Sequence, residues 1–388
     1  MDAADIKNRL SHEDFVCLHV LETCFQIKIL DIENSVCYHC FETLPEHLSY
    51  GVIRKFSSLE QANQHYESLL KDPDPIYVMK PDGPLYRKHE EDDLYMVRYS
   101  RVFETYEHWH ANFTNKNRSD ADLNRSLSEV GPALASRYQK TGSVGNILKD
   151  VVFTEDGQVF FWNWAPGTKK FKKEIRQLRT FVEEIKKLAT DPDRLDEFVN
   201  FLTSHVLSNK EPRKELSIWL FHYPVFMTEQ GGVRFLEVLN KVTCDTRTGV
   251  KHNAEFRDTL QAFDNQWKTA VTTSSDDALK AVLNYRGAKY DDGGYDLPRF
   301  AFNCVKHYSQ NAIKENAKSK GPTQVPIKEL SQTEVVEMLN STTYFKNFLE
   351  ISFQALYRCM EVIDDPTAPP PLYNSEQIMN MFTGGKLL

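Results

Sequence analysis

The sequence predicts a mainly α-helical chain of the α+β class. It has a bundle-like helical body, a small antiparallel β part in the first half and an extended, proline-rich C-terminal arm. Three observations lead there. From residue 168 onward, apolar residues return every three or four positions, the spacing that gives a helix one buried face. Residues 151–162 read Val-Val-Phe-Thr-Glu-Asp-Gly-Gln-Val-Phe-Phe-Trp, two apolar runs about an Asp-Gly turn pair. After Asp364-Asp365 the chain reads Pro366-Thr-Ala-Pro369-Pro370-Pro371-Leu372-Tyr373. No helix continues through it, because proline lacks the N–H and clashes with the preceding turn.

The elements follow in order. Phe15, Leu18, Leu21 and Phe25 recur on one face behind a Ser11 cap, which predicts a helix over about 11–30. A second helix follows Ser57, with Glu60 completing a capping box and Leu59, Ala62, Tyr66 and Leu69 inward. Asp72-Pro-Asp-Pro75 breaks it. Residues 76–79 and 94–99 read as short strands about a charged loop, Lys88-His-Glu-Glu-Asp-Asp93. Residues 112–128 are polar and read as an irregular connection. After the 151–162 hairpin, Ala165-Pro-Gly167 ends the ribbon.

Phe171, Ile175, Leu178, Val182 and Ile185 then make an amphipathic helix. Pro192 opens another, with Leu195, Phe198, Val199, Leu202 and Val206 inward. Phe256, Leu260, Phe263 and Trp267 form a further stripe. Residues 309–325, with Ala-Lys-Ser-Lys-Gly-Pro inside, read as an exposed loop. Ser331-Gln-Thr-Glu334 is a capping box, and a long last helix carries Phe345, Phe348, Leu349, Leu356 and Met360. The expected organisation is a mixed lobe over 1–165, a helical lobe over 166–365 and the arm over 366–388.

With 388 residues, 41% hydrophobic and 26% charged, the chain can bury a substantial core and is not of disordered composition. No run nears ~18 uninterrupted apolar residues, so no membrane span and no membrane partner are expected. The N-terminus lacks the basic-then-apolar form of a signal peptide, and the 7 cysteines are an odd number. Both point to reduced thiols and a cytoplasmic location, or a virion if the protein is viral. Residues 1–100 carry 18 acidic and 10 basic side chains, a balance that equals the whole chain's −8. That end is a poor nucleic-acid platform.

The helix after residue 168 differs. Lys169, Lys172, Lys173, Arg176 and Lys187 fall within about 100° of one another, opposite the apolar stripe. Lys170 and Arg179 add to a segment, 169–188, with eight basic and three acidic residues. It follows an aromatic run that includes Trp162 and Trp164. Cations that track phosphates beside rings that stack on bases are the ingredients of single-strand binding. The plainer reading is a solvated face, with Glu183 pairing Arg179 and Lys187, and the aromatics as hairpin core.

Other constellations are weaker. Cys37-Tyr-His-Cys40 is half a zinc site, with Cys24 expected on a helix and no second pair downstream. His108-Trp-His110, read as a strand, places two imidazoles on one face near acids 90–93, without the spacing of a zinc motif. His222 lies in an aromatic run and reads as a core histidine. Gly142-Ser-Val-Gly145 lacks the lysine of a phosphate loop, and Asp291-Asp-Gly-Gly-Tyr-Asp296 reads as a solvated turn. No cofactor and no metal are expected, and the balance leans away from an enzyme.

In the arm, Pro370-Pro371-Leu372-Tyr373 matches the Pro-Pro-X-Tyr ligand of WW modules. Pro369 to Tyr373 with Ile378, Met381 and Phe382 could instead dock on another subunit. The combined expectation is a non-enzymatic, self-assembling structural protein that coats or packages nucleic acid, RNA above all. Its type would be a capsid or nucleocapsid subunit. Two alternatives stand beside it. One is a metal-assisted enzyme around His108, His110 and acids 90–93. The other is a cytosolic adaptor recruited through the Pro-Pro-Leu-Tyr tail.

Overall fold

The computed structural model describes residues 15–363, 377, 378 and 381, except 21–22, 33–34, 44–47, 71–74, 89–92, 100–103, 116–117, 155, 163–170, 191, 211–215, 246–247, 265, 286, 288, 319–325 and 342–343. The mainly α class with antiparallel β structure in the first half is what it shows. The chain forms two compact units. One comprises residues 1–129 and 136–181, the other 130–135 and 182–388.

The first unit opens on β structure where a helix was expected. β1 (Phe15–Val20) and β2 (Thr23–Ile32) pair antiparallel, with Phe15 opposite Lys28 and Val20 opposite Thr23. The physical reason is local. Val16, Val20, Ile27, Ile29 and Ile32 are β-branched, and these favour a pleated surface over a helix, where χ1 is restricted. β3 (Ser35–Thr43) and β4 (Leu48–Phe56) continue the meander, and Cys24, Cys37 and Cys40 therefore all lie on strands. β5 (Pro81–Lys88) and β6 (Asp93–Tyr99) complete a six-stranded sheet in the order β1-β2-β3-β4-β6-β5. Pro81 and Pro84 sit on the edge strand, the position where a missing N–H leaves no ladder bond unmade.

Helix α1 (Leu59–Leu70) has its cap one residue later than expected, because the Ser58 hydroxyl accepts from the Gln61 N–H at 3.2 Å. Its Ala62 and Leu69 join Val78, Met79, Val97, Tyr99, Val152, Phe160 and Trp162 in one buried cluster.

β7 (Glu104–Thr105), β8 (Val151–Phe153) and β9 (Val159–Phe161) make a second, three-stranded sheet, and Gly157 takes φ 83° in the expected turn. Three helices stand between β7 and β8, the last of them short. α2 (Tyr106–Thr114) contains His108 and His110, which were expected on a strand. At 100° per residue, positions two apart do not share a helix face. α3 (Asp120–Thr141) occupies much of the polar stretch expected to be irregular. Its signal is a capping box in which the Ser119 hydroxyl accepts from Asp122 N–H and the Asp122 carboxylate accepts from Ser119 N–H. Trp109 on α2 is fully buried and stacks on Phe153 with ring centroids 4.3 Å apart.

α4 (Ile147–Asp150) leads into β8, and α5 (Phe171–Lys186) buries Phe171, Ile175, Leu178, Phe181, Val182 and Ile185. The second unit continues with α6 (Asp193–Phe201), which passes into a π turn over Leu202–Val206, then α7 (Ser217–Leu220) and α8 (Glu229–Cys244). The 256–267 stripe is not one helix. It is divided among α9 (Ala254–Leu260), a 3₁₀ turn over Gln261–Phe263 and α10 (Gln266–Thr273), with all four expected residues buried. α11 (Asp277–Leu283) precedes α12 (Leu297–Lys318), which runs through half of the loop expected over 309–325. α13 (Gln332–Asn340) carries the expected capping box, and α14 (Phe348–Ile363) is the last long helix.

Asp291–Asp296 is more than a solvated turn. Asp296 is 2% exposed and binds the Lys251 ammonium at 3.0 Å, and its second oxygen accepts from the Asp291 N–H. Gly294 is required here, since a Cβ would lie 2.0 Å from the Leu260 carbonyl oxygen.

His222 lies between the buried residues Phe221 and Tyr223, and its Nε2 has no hydrogen-bond partner among the described residues. Burial pulls its pKa down to about 4 from the usual 6.5. The native imidazole is thus neutral where the unfolded one is protonated. Stability is fully present above pH 6.5 and falls as pH is lowered towards 4, by about 1.4 kcal/mol per unit. Urea melts across that window should show the slope in the parent and its loss in His222→Phe; identical slopes would contradict it.

Candidate nucleic-acid interface

α5 separates its two faces as its periodicity requires. Opposite the buried stripe, Lys173 and Arg176 are exposed, while Lys172 and Arg179 are half-buried. Lys187, just beyond the helix, pairs with Glu184 at 2.7 Å rather than with Glu183. Lys173 and Arg176 are therefore the outward cations with no ion-pair partner among the described residues. Lys169, Lys170 and Trp164 lie outside the described residues.

Trp162 is placed by the hairpin but not at a surface. It is 4% exposed, and its indole N–H donates to the Lys149 carbonyl at 2.7 Å. Phe160 and Phe161 are buried with it. A base cannot stack on a ring already enclosed, so among the described residues this run serves as core and the helix supplies cations alone.

Below α5 lies a buried polar cluster that the sequence did not signal. Arg137 on α3 is 1% exposed and pairs with Asp150 at 3.2 Å. Its guanidinium also lies 4.4 Å from the Phe161 ring centroid. Burial pulls the Arg137 pKa down, and the Asp150 carboxylate pulls it partly back. Asp150 accepts a second bond from Asn146 N–H at 2.9 Å, and the Ser143 hydroxyl donates to buried Glu174 on α5.

The Gly142–Gly145 segment threads this cluster. Gly145 has φ 67°, and a Cβ there would lie 2.3 Å from an Arg137 guanidinium nitrogen and 2.6 Å from Asp150 Oδ2. The glycine is needed for the bend and for the close approach, not for a phosphate. The cluster joins the C-terminal end of α3, the 143–150 segment and the start of α5, and so fixes the helix that bears the exposed cations.

The remaining candidates are scattered. His110 is half-buried on α2, with Nε2 unpaired among the described residues. Acids 90–92 lie outside the described residues, and Asp93 opens β6. Among the described residues, no three His, Cys, Asp or Glu gather where a metal ion could bind. No described helix is long and apolar enough to cross a membrane. In the tail, Pro369, Pro370, Pro371, Leu372, Tyr373 and Phe382 lie outside the described residues; Ile378 is fully buried and Met381 half-buried.

No family model matches the chain, and no curated protein matches it. Among solved structures, it is similar to a chain in the complex of Neurospora crassa PAN2 (WD40-CS1) with PAN3 (pseudokinase and C-term). The identity is 12% and the TM-score 0.37, over 88% of this chain and 98% of that one, a likeness too distant to carry a conclusion.

Proposed function

We propose that this chain is a non-enzymatic structural protein that self-associates and coats or packages nucleic acid, as a capsid or nucleocapsid subunit does. RNA would be the polymer and the cytoplasm or the virion the location. The observation that carries the reading is α5. A helix whose apolar face is entirely buried turns Lys173 and Arg176 outward, beside Lys172 and Arg179, and a buried ion-pair cluster braces its start. Such a face offsets phosphate charge without reading sequence.

Ile378 buries itself fully within a single chain, so the tail has an apolar docking contact. The same contact made on a neighbouring subunit would be an exchanged arm. The Pro-Pro-Leu-Tyr adaptor reading needs the same stretch to be free for a partner.

The test is charge reversal. Lys173→Glu with Arg176→Glu should weaken binding to single-stranded RNA about tenfold or more at low salt, and lower the slope of log affinity against log salt by about 1.4 for two lost phosphate contacts. Circular dichroism should be unchanged, because both side chains are exposed. Equal affinity and slope in parent and variant would remove α5 from the account.

A further inference from the structure

In the second unit, a cleft of about 490 Å³ opens beside α12. One of its walls is a face of that helix. Arg299, Asn303, His307, Gln310 and Lys314 all line it and fall within about 80° of one another at 100° per residue. Tyr285, after α11, lines it too and is 71% exposed. Every charged side chain of the lining is basic or a histidine; no carboxylate is among them.

The ion pairing around the cleft sharpens this. Lys306, on the same helix but outside the lining, is taken by Glu237, and Lys318 by Glu315. Nearby, Asp292 is held by Lys268 and Asp296 by Lys251. Arg299 and Lys314 have no ion-pair partner among the described residues. The local acids are thus engaged elsewhere, and the cleft keeps its positive charge. Arg299 is also held in place. Its guanidinium lies 5.3 Å from the Tyr290 ring centroid and donates to the Lys289 carbonyl at 3.1 Å. Asn303 donates to the Tyr290 hydroxyl at 2.6 Å, which holds the same ring at its polar end.

We infer that this cleft is a binding site for single-stranded RNA, a second contact that rests on the nucleic-acid reading above and extends it to the other unit. Arg299 and Lys314 stand fifteen residues apart, about 22 Å along the helix, a reach suited to several phosphates of an extended strand rather than to one small anion. Tyr285 offers a solvent-facing ring on which a base stacks, and the amides of Asn303 and Gln310 offer donors and acceptors to base edges. Cations along the backbone with an aromatic platform beside them are what sequence-tolerant single-strand sites use.

The experiment is anisotropy of a short labelled oligouridine titrated with the full chain, the parent against Tyr285→Ala and Lys314→Glu. Both positions are exposed, so neither substitution should disturb folding. Tyr285→Ala should weaken binding roughly 5- to 150-fold, the loss of one stacked base. Lys314→Glu should reduce the salt slope by about 0.7. Unchanged affinity in both variants overturns the inference. So does competition by inorganic phosphate or uridine monophosphate at the oligomer's own concentration range, or preferential binding of a phosphoserine peptide of equal charge. The Lys173→Glu/Arg176→Glu variant measured in parallel separates the two sites. Loss there alone overturns the cleft and leaves α5 standing, while loss in the cleft variants alone supports the cleft and removes α5.

Discussion

Asp150→Ala should destabilise the first unit by about 3–5 kcal/mol, the cost of breaking a buried pair by removing one partner. The Arg137 side chain is 1% exposed and already has its charge opposed by burial, so losing Asp150 strips a guanidinium shielded from water of the carboxylate it binds, with the more distant Glu174 charge still acting on it. Part of the loss comes from Asn146, whose N–H donates to the same carboxylate. Replacing both partners, as Arg137→Met with Asp150→Leu, should cost less than the single change, because both charges of the pair are removed together. Urea unfolding at constant m-value reads the difference. A single-variant loss below about 1 kcal/mol, or a double variant as unstable as the single one, would show that the pair does not brace this region.

Glu350→Ala should cost the second unit about 2–4 kcal/mol. Glu350 on α14 is completely buried, yet one of its oxygens accepts from Arg194 Nε on α6 at 2.6 Å and the other from Asn340 Nδ2, at the end of α13, at 3.1 Å. Three helices therefore meet on one carboxylate. Arg194 also donates to the Pro224 carbonyl, and Asn340 accepts from the Leu349 N–H, so the network fixes the start of α14. Burial pushes the nearby Tyr223 hydroxyl far up, and the Glu350 charge adds to that. The expected loss is smaller than at Asp150, because the Arg194 side chain is 43% exposed and rehydrates when its partner goes. Glu350→Gln keeps the shape and one acceptor and should lose roughly half as much. Equal stability of Glu350→Ala and parent in thermal or urea melts would contradict the network.

How far the sequence revealed this molecule varied with the kind of signal. Elements with two concordant signals are where they were expected: the Asp156-Gly157 hairpin, α5 with its unbroken stripe, and α13 behind Ser331 and Glu334. The helix expected over 11–30 failed because its apolar residues satisfy both periods. Phe15, Leu18, Leu21 and Phe25 suit a helix, but the β-branched residues among them suit strands, and Leu21-Glu22 carries no turn residue to mark the hairpin. α12 runs on through a polar stretch that the sequence alone left as a loop, since lysines and asparagines give no periodicity.

The candidate site was half legible. The exposed cations of α5 follow directly from its helical period, whereas Trp162 shows no sequence difference between a stacking ring and a core ring; its burial and its bond to the Lys149 carbonyl separate them. The Arg137–Asp150 pair is thirteen residues apart across a turn, and no local pattern announces it.

The most direct test of the central claim is light scattering on a size-exclusion column, with the 260/280 nm absorbance ratio recorded across each peak. The run would compare the full chain with a variant lacking residues 366–388. The account predicts a large homo-oligomer carrying nucleic acid for the full chain, and a smaller species for the truncated one. A clean monomer with a protein-like ratio, the same for both chains, would contradict it.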